Sequence, residues 1–241
     1  FTRKRHDSAF PRNAIRYCLE ATGLQLSDLA SITYYEQSEV KFRRMLSSFA
    51  SAGPGGFRTF TRVLPKWLQW KRRVLLTVDR ELDQLGLGRG PRAIAIPHHR
   101  SHAASAFFAS PFNQAAVVCI DGVGEWQTTT VWRGDHDQLE LVDSISYPHS
   151  LGLLYSAFTE FCGFKVDSGE YKLMGLAPYG EPRYASLIVD QIVRLRDDGS
   201  FSLNLDCFEF LRGHRMTGPA FERLFDGPAR SPEAPLTQRE C

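Results

Sequence analysis

Paired cysteines are missing from this chain. Its five cysteines, Cys18, Cys119, Cys162, Cys207 and Cys241, are an odd number, and no two stand in Cys-x-x-Cys spacing. That argues against a disulfide framework and for reduced thiols in a cytoplasmic setting. Long apolar runs are missing too: none reaches the roughly 18 residues of a membrane span, so no membrane is expected as a partner. No signal peptide is recognisable at the start. Charge of one sign is not in excess: Lys and Arg total 29 against 27 Asp and Glu, a formal net charge of +2. Such a balance makes no case for nucleic acid as the main partner. The His-Glu-x-x-His signature is absent, because His99 follows His98, and a zinc protease is thereby disfavoured. The chain starts at Phe1 without an initiator Met and reaches Cys241 without a closing element. It is expected to be an excerpt of a longer protein.

What is present is globular in kind. Hydrophobic residues make up 43% and charged residues 23% of 241 positions, room for one large domain or two small ones. The informative stretch runs from Pro97 to Trp126. It holds Pro97-His98-His99-Arg100-Ser101-His102, then the apolar run Ala115 to Ile120, then Asp121-Gly122-Val123-Gly124-Glu125-Trp126. His98 and His102 stand four apart, which puts both imidazoles on one helix face with Cβ atoms about 5–6 Å apart. Two ligands at that reach can share one divalent metal. Asp121, at the end of the next strand-like run, is placed to supply a third. Two histidines and a carboxylate with open positions suit non-haem Fe(II), and Zn(II) and Mn(II) accept the set as well. The plain alternative is a surface or core histidine pair. The strand-like run Arg92 to Ile96 just before it, and the carboxylate closing the next one, favour a site, since open α/β sheets gather sites at strand ends.

The remaining periodicities set the frame. Pro11 to Thr22 reads as a helix with Ala14, Ile15, Cys18 and Leu19 on one stripe, closed by Gly23. Ser27-Asp28 begins a short turn, and Ile32 to Tyr35 reads as a strand. Glu39 to Ser48 reads as a helix and 51–56 as a Gly/Pro loop. Leu76, Val78, Leu82 and Leu85 belong to a long helix; Trp67, Trp70 and Lys71 before them are packing residues or the lining of a sugar or aromatic acceptor site. Then come a helix at His99 to Ser110 and strands at Ala115–Ile120, Gln127–Trp132 and Leu139–Ser144. Ser150 caps a helix to about Phe161. A loop bearing Glu170 and Lys172 follows, then a helix after Arg183, a strand at Phe201–Leu205 and a short helix at Pro219–Phe225. The tail, 226–238, reads as a mobile loop. The glycines of the Asp121-Gly122-Val123-Gly124 turn can offer backbone N–H groups to an anion, the plain alternative being an ordinary tight hairpin. Lys172 can meet phosphate as a point charge or pair with Glu170 as a surface salt bridge. The run Arg3-Lys4-Arg5 is a solvated face in the plain reading. His149 and Tyr155 are read as structural.

Four blocks carry a resemblance. They are His98-His99-x-x-His102-Ala103-Ala104-Ser105-Ala106-Phe107, Asp121-Gly122-x-Gly124-Glu125-Trp126, Ser150 to Tyr155, and Ser168-Gly169-Glu170-Tyr171-Lys172-x-Met174-Gly175 to Gly180. In this order they resemble the signature blocks of the NodU/CmcH family of O-carbamoyltransferases. The resemblance implies an α/β fold, an actin-like ATPase (ASKHA, Kae1-like) lobe with a mixed sheet and flanking helices. It implies an incomplete lobe over 1–241, lacking a first hairpin, its second half and a C-terminal YrdC-like domain. With one sheet edge left open, the excerpt is expected to form homodimers, aggregate or expose apolar surface. The family's chemistry makes carbamoyladenylate from ATP and carbamoyl phosphate, then transfers the carbamoyl group to a hydroxylated small-molecule or sugar acceptor. By residue matching, His98, His102 and Asp121 would be metal ligands; His102 and Asp121 are the expected catalytic residues, and Gly122, Gly124 and Lys172 the expected cofactor contacts. A fourth ligand, an aspartate, would lie past Cys241, leaving this stretch alone inactive. The Arg3–Arg5 segment would lie near the cleft, with a phosphate contact open to it. A Kae1-like tRNA threonylcarbamoyl-transfer protein and a non-enzymatic ATP-gated interaction module are the alternatives.

Overall fold

A computed structural model describes residues 3–4, 7, 9–51, 61, 65, 73–211 and 215–240. Arg5, Trp67, Trp70, Lys71, Cys241 and the 51–56 loop beyond Ser51 fall outside the described residues.

The first helix, α1, spans Arg12–Thr22 and stops at Gly23, whose φ of 68° lets its N–H return to Glu20 and Leu19. Leu19 of α1 packs with Leu26, Leu82 and Leu85 into a small core. Strand β1 (Ile32–Tyr34) leads into α2 (Ser38–Ser51), and α3 (Val74–Asp83) leads to β2 (Ala93–Ala95). The two strands pair in parallel, Ile32 opposite Ala93 and Tyr34 opposite Ala95. Their carboxyl ends therefore lie side by side, and Ile96 extends the contact by donating its N–H to Tyr34 O at 3.0 Å.

Pro97 then turns the chain into α4 (His98–Phe107). Strands β3 (Gln114–Ile120), β4 (Gln127–Asp135) and β5 (Gln138–Ser146) form an antiparallel meander in that order. One face is covered by α4: Ala103 and Phe107 pack on Val117, Cys119 and Trp132. The other face is open, with Val118 57% and Ile120 58% exposed. Alternation along β3 explains both.

The largest core gathers around α5 (Leu151–Phe161). Its Leu154, Ala157 and Phe161 meet Phe201, Leu203, Phe208, Phe221 and Phe225. Some of the aromatic rings sit edge to face, as Phe158 does on Phe221 at 5.0 Å, and others are tilted, as Phe221 is on Phe225 at 4.7 Å. After α5 come α6 (Glu170–Leu176) and α7 (Ala185–Gln191), the hairpin of β6 (Val193–Leu195) and β7 (Phe201–Leu203), and α8 (Pro219–Leu224).

The α/β class holds. The described strands form three separate small sheets rather than one mixed sheet. The strands of two of them are three residues long. The tail is not loose. Arg230 donates its N–H to Phe161 O at 2.8 Å and its Nε–H to Cys162 O at 2.8 Å, and Glu240 is 6% exposed. No helix among the described residues is long and apolar enough to cross a membrane.

Candidate metal centre

Two junctions in the chain converge here: the passage from β2 into α4, and the passage from β3 into β4. His98 is the first residue of α4 and His102 lies one turn on. Asp121 directly follows β3, its N–H bonded to Thr128 O at 2.8 Å. His98 Nε2 stands 2.9 Å from Asp121 Oδ2 and 3.0 Å from His102 Nε2. His102 Nε2 stands 4.0 Å from the same Asp121 oxygen. One donor atom from each residue lies within 4.8 Å of the others. Ligands at right angles around an ion with bonds of about 2.1 Å stand about 3.0 Å apart, and opposite ligands about 4.2 Å. The separations of 2.9, 3.0 and 4.0 Å lie within about 0.1 Å of that span, and two imidazoles with a carboxylate are a chemically suitable donor set for a divalent transition metal. The residues fit an ion.

Electrostatics favour the same conclusion about proximity. The hydrogen bond from His98 holds Asp121 down at about 2 against its ordinary 3.8. The same bond raises His98 above its ordinary 6.5. His98 therefore carries a proton readily when no cation competes, and a metal would displace it. Burial lowers His99, which points the other way, into the protein. Its Nδ1 lies 2.9 Å from Thr130 Oγ1, which also accepts the Trp132 indole N–H at 2.8 Å. Burial favours the neutral imidazole, and the pairing with Thr130 makes His99 a structural histidine. Burial is also what raises the Cys119 thiol beneath it.

Gly124 lies against the imidazoles. A Cβ there would stand 2.6 Å from His98 Cδ2 and 3.1 Å from His99 Cδ2. Gly122 has open space where a Cβ would go. As the turn stands, neither glycine offers a free N–H: Gly122 donates to Asp121 Oδ1 at 2.7 Å and Gly124 to Gln127 O at 3.2 Å. The anion cradle expected of them is occupied by the turn's own acceptors.

Lys172 is exposed on α6, in a helix rather than the expected loop. Glu170, the first residue of that helix, ties the turn before it to α5: its carboxylate accepts from Asp167 N, Gly169 N and Ser156 Oγ at 2.9, 3.1 and 3.1 Å. His149 Nδ1 accepts the Leu203 N–H at 3.1 Å, and Tyr155 donates its hydroxyl to Glu170 O at 3.3 Å. Both act as joints between elements.

Tyr35 and Glu125, and a second role of the expected cap Ser150, escaped sequence reasoning. Ser150, fully buried, donates to Asp121 O or Gly122 O and caps α5 by accepting the Leu153 N–H at 3.0 Å. Tyr35, half exposed, sets its ring 5.7 Å from that of His98. Glu125, 9% exposed, reaches the backbone of α4. Only Ser150 left a local signal, as a helix cap.

Comparison with known proteins covers the same ground. The family described as "Carbamoyltransferase N-terminus" matches residues 1–238. An uncharacterized protein of Synechocystis sp. is 50% identical over 243 residues, covering 100% of this chain and 40% of that protein. Nodulation protein NolNO of Sinorhizobium fredii is 31% identical over 212 residues, 85% of this chain and 28% of its own. Nodulation protein NolO of Bradyrhizobium diazoefficiens is 39% identical over 110 residues, 45% of this chain and 20% of its own. This chain thus spans less than half the length of each of these relatives. A match along nearly its whole length is decisive for kinship: the chain belongs to the carbamoyltransferase N-terminus family.

Proposed function

We propose that this chain forms the carbamoyl-transfer lobe of an O-carbamoyltransferase, on an ASKHA, Kae1-like fold, acting in the cytoplasm. The observation that carries the reading is the convergence of His98, His102 and Asp121 inside a chain of this family. These three would hold a divalent ion, Fe(II) by preference. Such an ion would act as a Lewis acid on the carbamoyl carbonyl or the departing phosphate.

The donor is carbamoyladenylate, formed from carbamoyl phosphate and ATP in a YrdC-like domain elsewhere in the full-length protein. The acceptor is a hydroxylated small molecule or sugar. Its hydroxyl oxygen forms a bond to the carbamoyl carbon, the carbon–oxygen bond to the adenylate phosphate breaks, AMP leaves, and the hydroxyl proton passes to a base. In the metal-free centre the hydrogen bond from His98 holds the Asp121 carboxyl near 2 and orients the His98 ring. With the ion bound, both groups would turn these same atoms to it as ligands. His102, with a side chain 52% exposed, borders the opening through which an acceptor approaches. Tyr35 offers a half-exposed aromatic face beside it. Lys172 and the Gly122–Gly124 turn are the proposed nucleotide contacts. The turn would exchange its internal hydrogen bonds for ligand bonds.

His102→Ala in the full-length protein tests the reading. Transfer to the acceptor should be lost while pyrophosphate release from ATP and carbamoyl phosphate persists. Pyrophosphate and acceptor mass are followed separately. Loss of both in a folded protein would show that the centre also serves activation. Loss of neither would show that the histidines are structural.

A further inference from the structure

Helix α4 carries two proposed ligands yet has no cap of its own. Its N-cap is Pro97, which offers no side-chain hydrogen bond. The first N–H groups of a helix need acceptors, and a carboxylate is the favoured one because it also meets the positive end of the helix dipole. Glu125 supplies it from the far side of the centre. Its Oε1 accepts the His98 N–H at 3.3 Å and also the N–H of Gln37, the residue preceding α2. One buried carboxylate thus joins the starts of two helices that are 60 residues apart in sequence, Ser38 to His98.

The same short turn grips His98 three times. Asp121 takes the imidazole Nε2, Gly124 packs on the ring, and Glu125 takes the backbone N–H. The ring has few ways to drift while all three hold. We infer that Glu125 is a positioning residue: its buried carboxylate fixes the backbone of His98, and with it the ligand imidazoles of α4, against the Asp121 turn. This rests on the metal-centre reading proposed above. Groups that orient ligands in this way change metal affinity by about ten- to a hundred-fold when removed.

The test is Co(II) binding to the full-length protein, read by calorimetry and by the visible absorption of the bound ion. Four forms are compared: wild type, His102→Ala, Glu125→Ala and Glu125→Gln. Wild type should bind one ion, and His102→Ala should lose it. Glu125→Ala should bind about ten- to a hundred-fold more weakly, with a shifted absorption band. Glu125→Gln keeps the shape and one acceptor oxygen but not the charge, and should fall between the two. It carries the test if the alanine variant does not fold. Circular dichroism and thermal midpoints are recorded for each form. Wild type that binds no Co(II), or His102→Ala that binds it unchanged, would overturn the metal centre itself. If His102→Ala loses the ion but a folded Glu125→Gln keeps wild-type affinity and spectrum, the positioning role is overturned and the centre stands. A lowered midpoint with unchanged Co(II) binding would leave Glu125 merely structural and would also overturn the inference.

Discussion

Alanine at position 124 would place one methyl group against the ring of His98. Its Cβ would stand 2.6 Å from His98 Cδ2, 3.2 Å from His98 Cγ and 3.1 Å from His99 Cδ2. Carbon atoms settle about 3.5–4.0 Å apart, so the ring would have to retreat by about 1 Å. Gly124 does not have the left-handed φ that would strain an alanine backbone. Volume alone is therefore tested. Neither neighbour is a flexible chain end: His98 is tethered by Asp121, and His99 is 1% exposed. Overpacking of this kind costs about 1–3 kcal/mol, and in a chain of this size each kcal/mol lowers the midpoint by roughly 2–4 °C. The larger effect falls on the metal. Bond lengths at such centres tolerate about 0.2 Å, and a nitrogen displaced by several times that should weaken binding by ten-fold or more. Gly122→Ala is the matched control, since its Cβ would meet nothing within 4 Å.

The pair also separates two meanings of the glycines. If the turn serves as an anion cradle, both substitutions should weaken nucleotide binding. If Gly124 exists to admit the His98 ring, only Gly124→Ala should weaken metal binding and lower the midpoint. Co(II) titration and thermal denaturation of both variants decide it. Equal losses in the two, or wild-type Co(II) affinity in Gly124→Ala, would refute the packing argument.

How much of this was legible beforehand follows from which contacts are local. The His98–His102 pair could be read because a helix repeats every 3.6 residues. Asp121 could be read because it closes an apolar run with a glycine turn. The α4 helix, the β3–β4–β5 meander and the Ser150 cap all follow from short-range pattern. Glu125 could not be read as a partner of His98 N–H and Gln37 N–H. Those contacts span 27 and 88 residues, and a backbone donor leaves no trace in side-chain pattern. Gly124 was misleading for a related reason. A glycine that admits a distant ring and a glycine that presents an amide look the same in sequence. Strand β6, three residues ending a helical run, went unseen because Val193-Arg194-Leu195 continues the pattern of the helix before it. Its strand state comes from pairing with Phe201–Leu203 across the Gly199 turn. The docking of the tail depends on Arg230 reaching Phe161 and Cys162, which composition cannot signal.

Two further substitutions probe the frame and the charge at the centre. Ser150→Ala removes the cap of α5 and leaves the Asp121 and Gly122 carbonyls without its hydroxyl. Cap loss costs about 1 kcal/mol and the unmet carbonyls about as much again. Thermal denaturation should show a drop of several degrees, and an unchanged midpoint would refute the joint role of Ser150. Asp121→Asn, compared with wild type in the metal-free protein, should give a stability difference that depends on pH in a set way. Asp121 is held at about 2 against an ordinary 3.8. Its contribution is therefore present above about 3.8 and is lost as pH falls toward 2. His98 is raised above its ordinary 6.5, so its contribution is complete below 6.5 and is lost as pH rises through the raised value. The pair thus stabilises most between about pH 4 and 6.5. The carboxyl's displacement corresponds to about 2 kcal/mol. Solvent at a carboxylate 32% exposed reduces that toward ~1 kcal/mol. Denaturant unfolding of both proteins across pH 2 to 9 should show the difference rise, peak and decline. A difference that is flat across that range would mean that the imidazole and the carboxylate do not share a proton-linked bond in the folded protein.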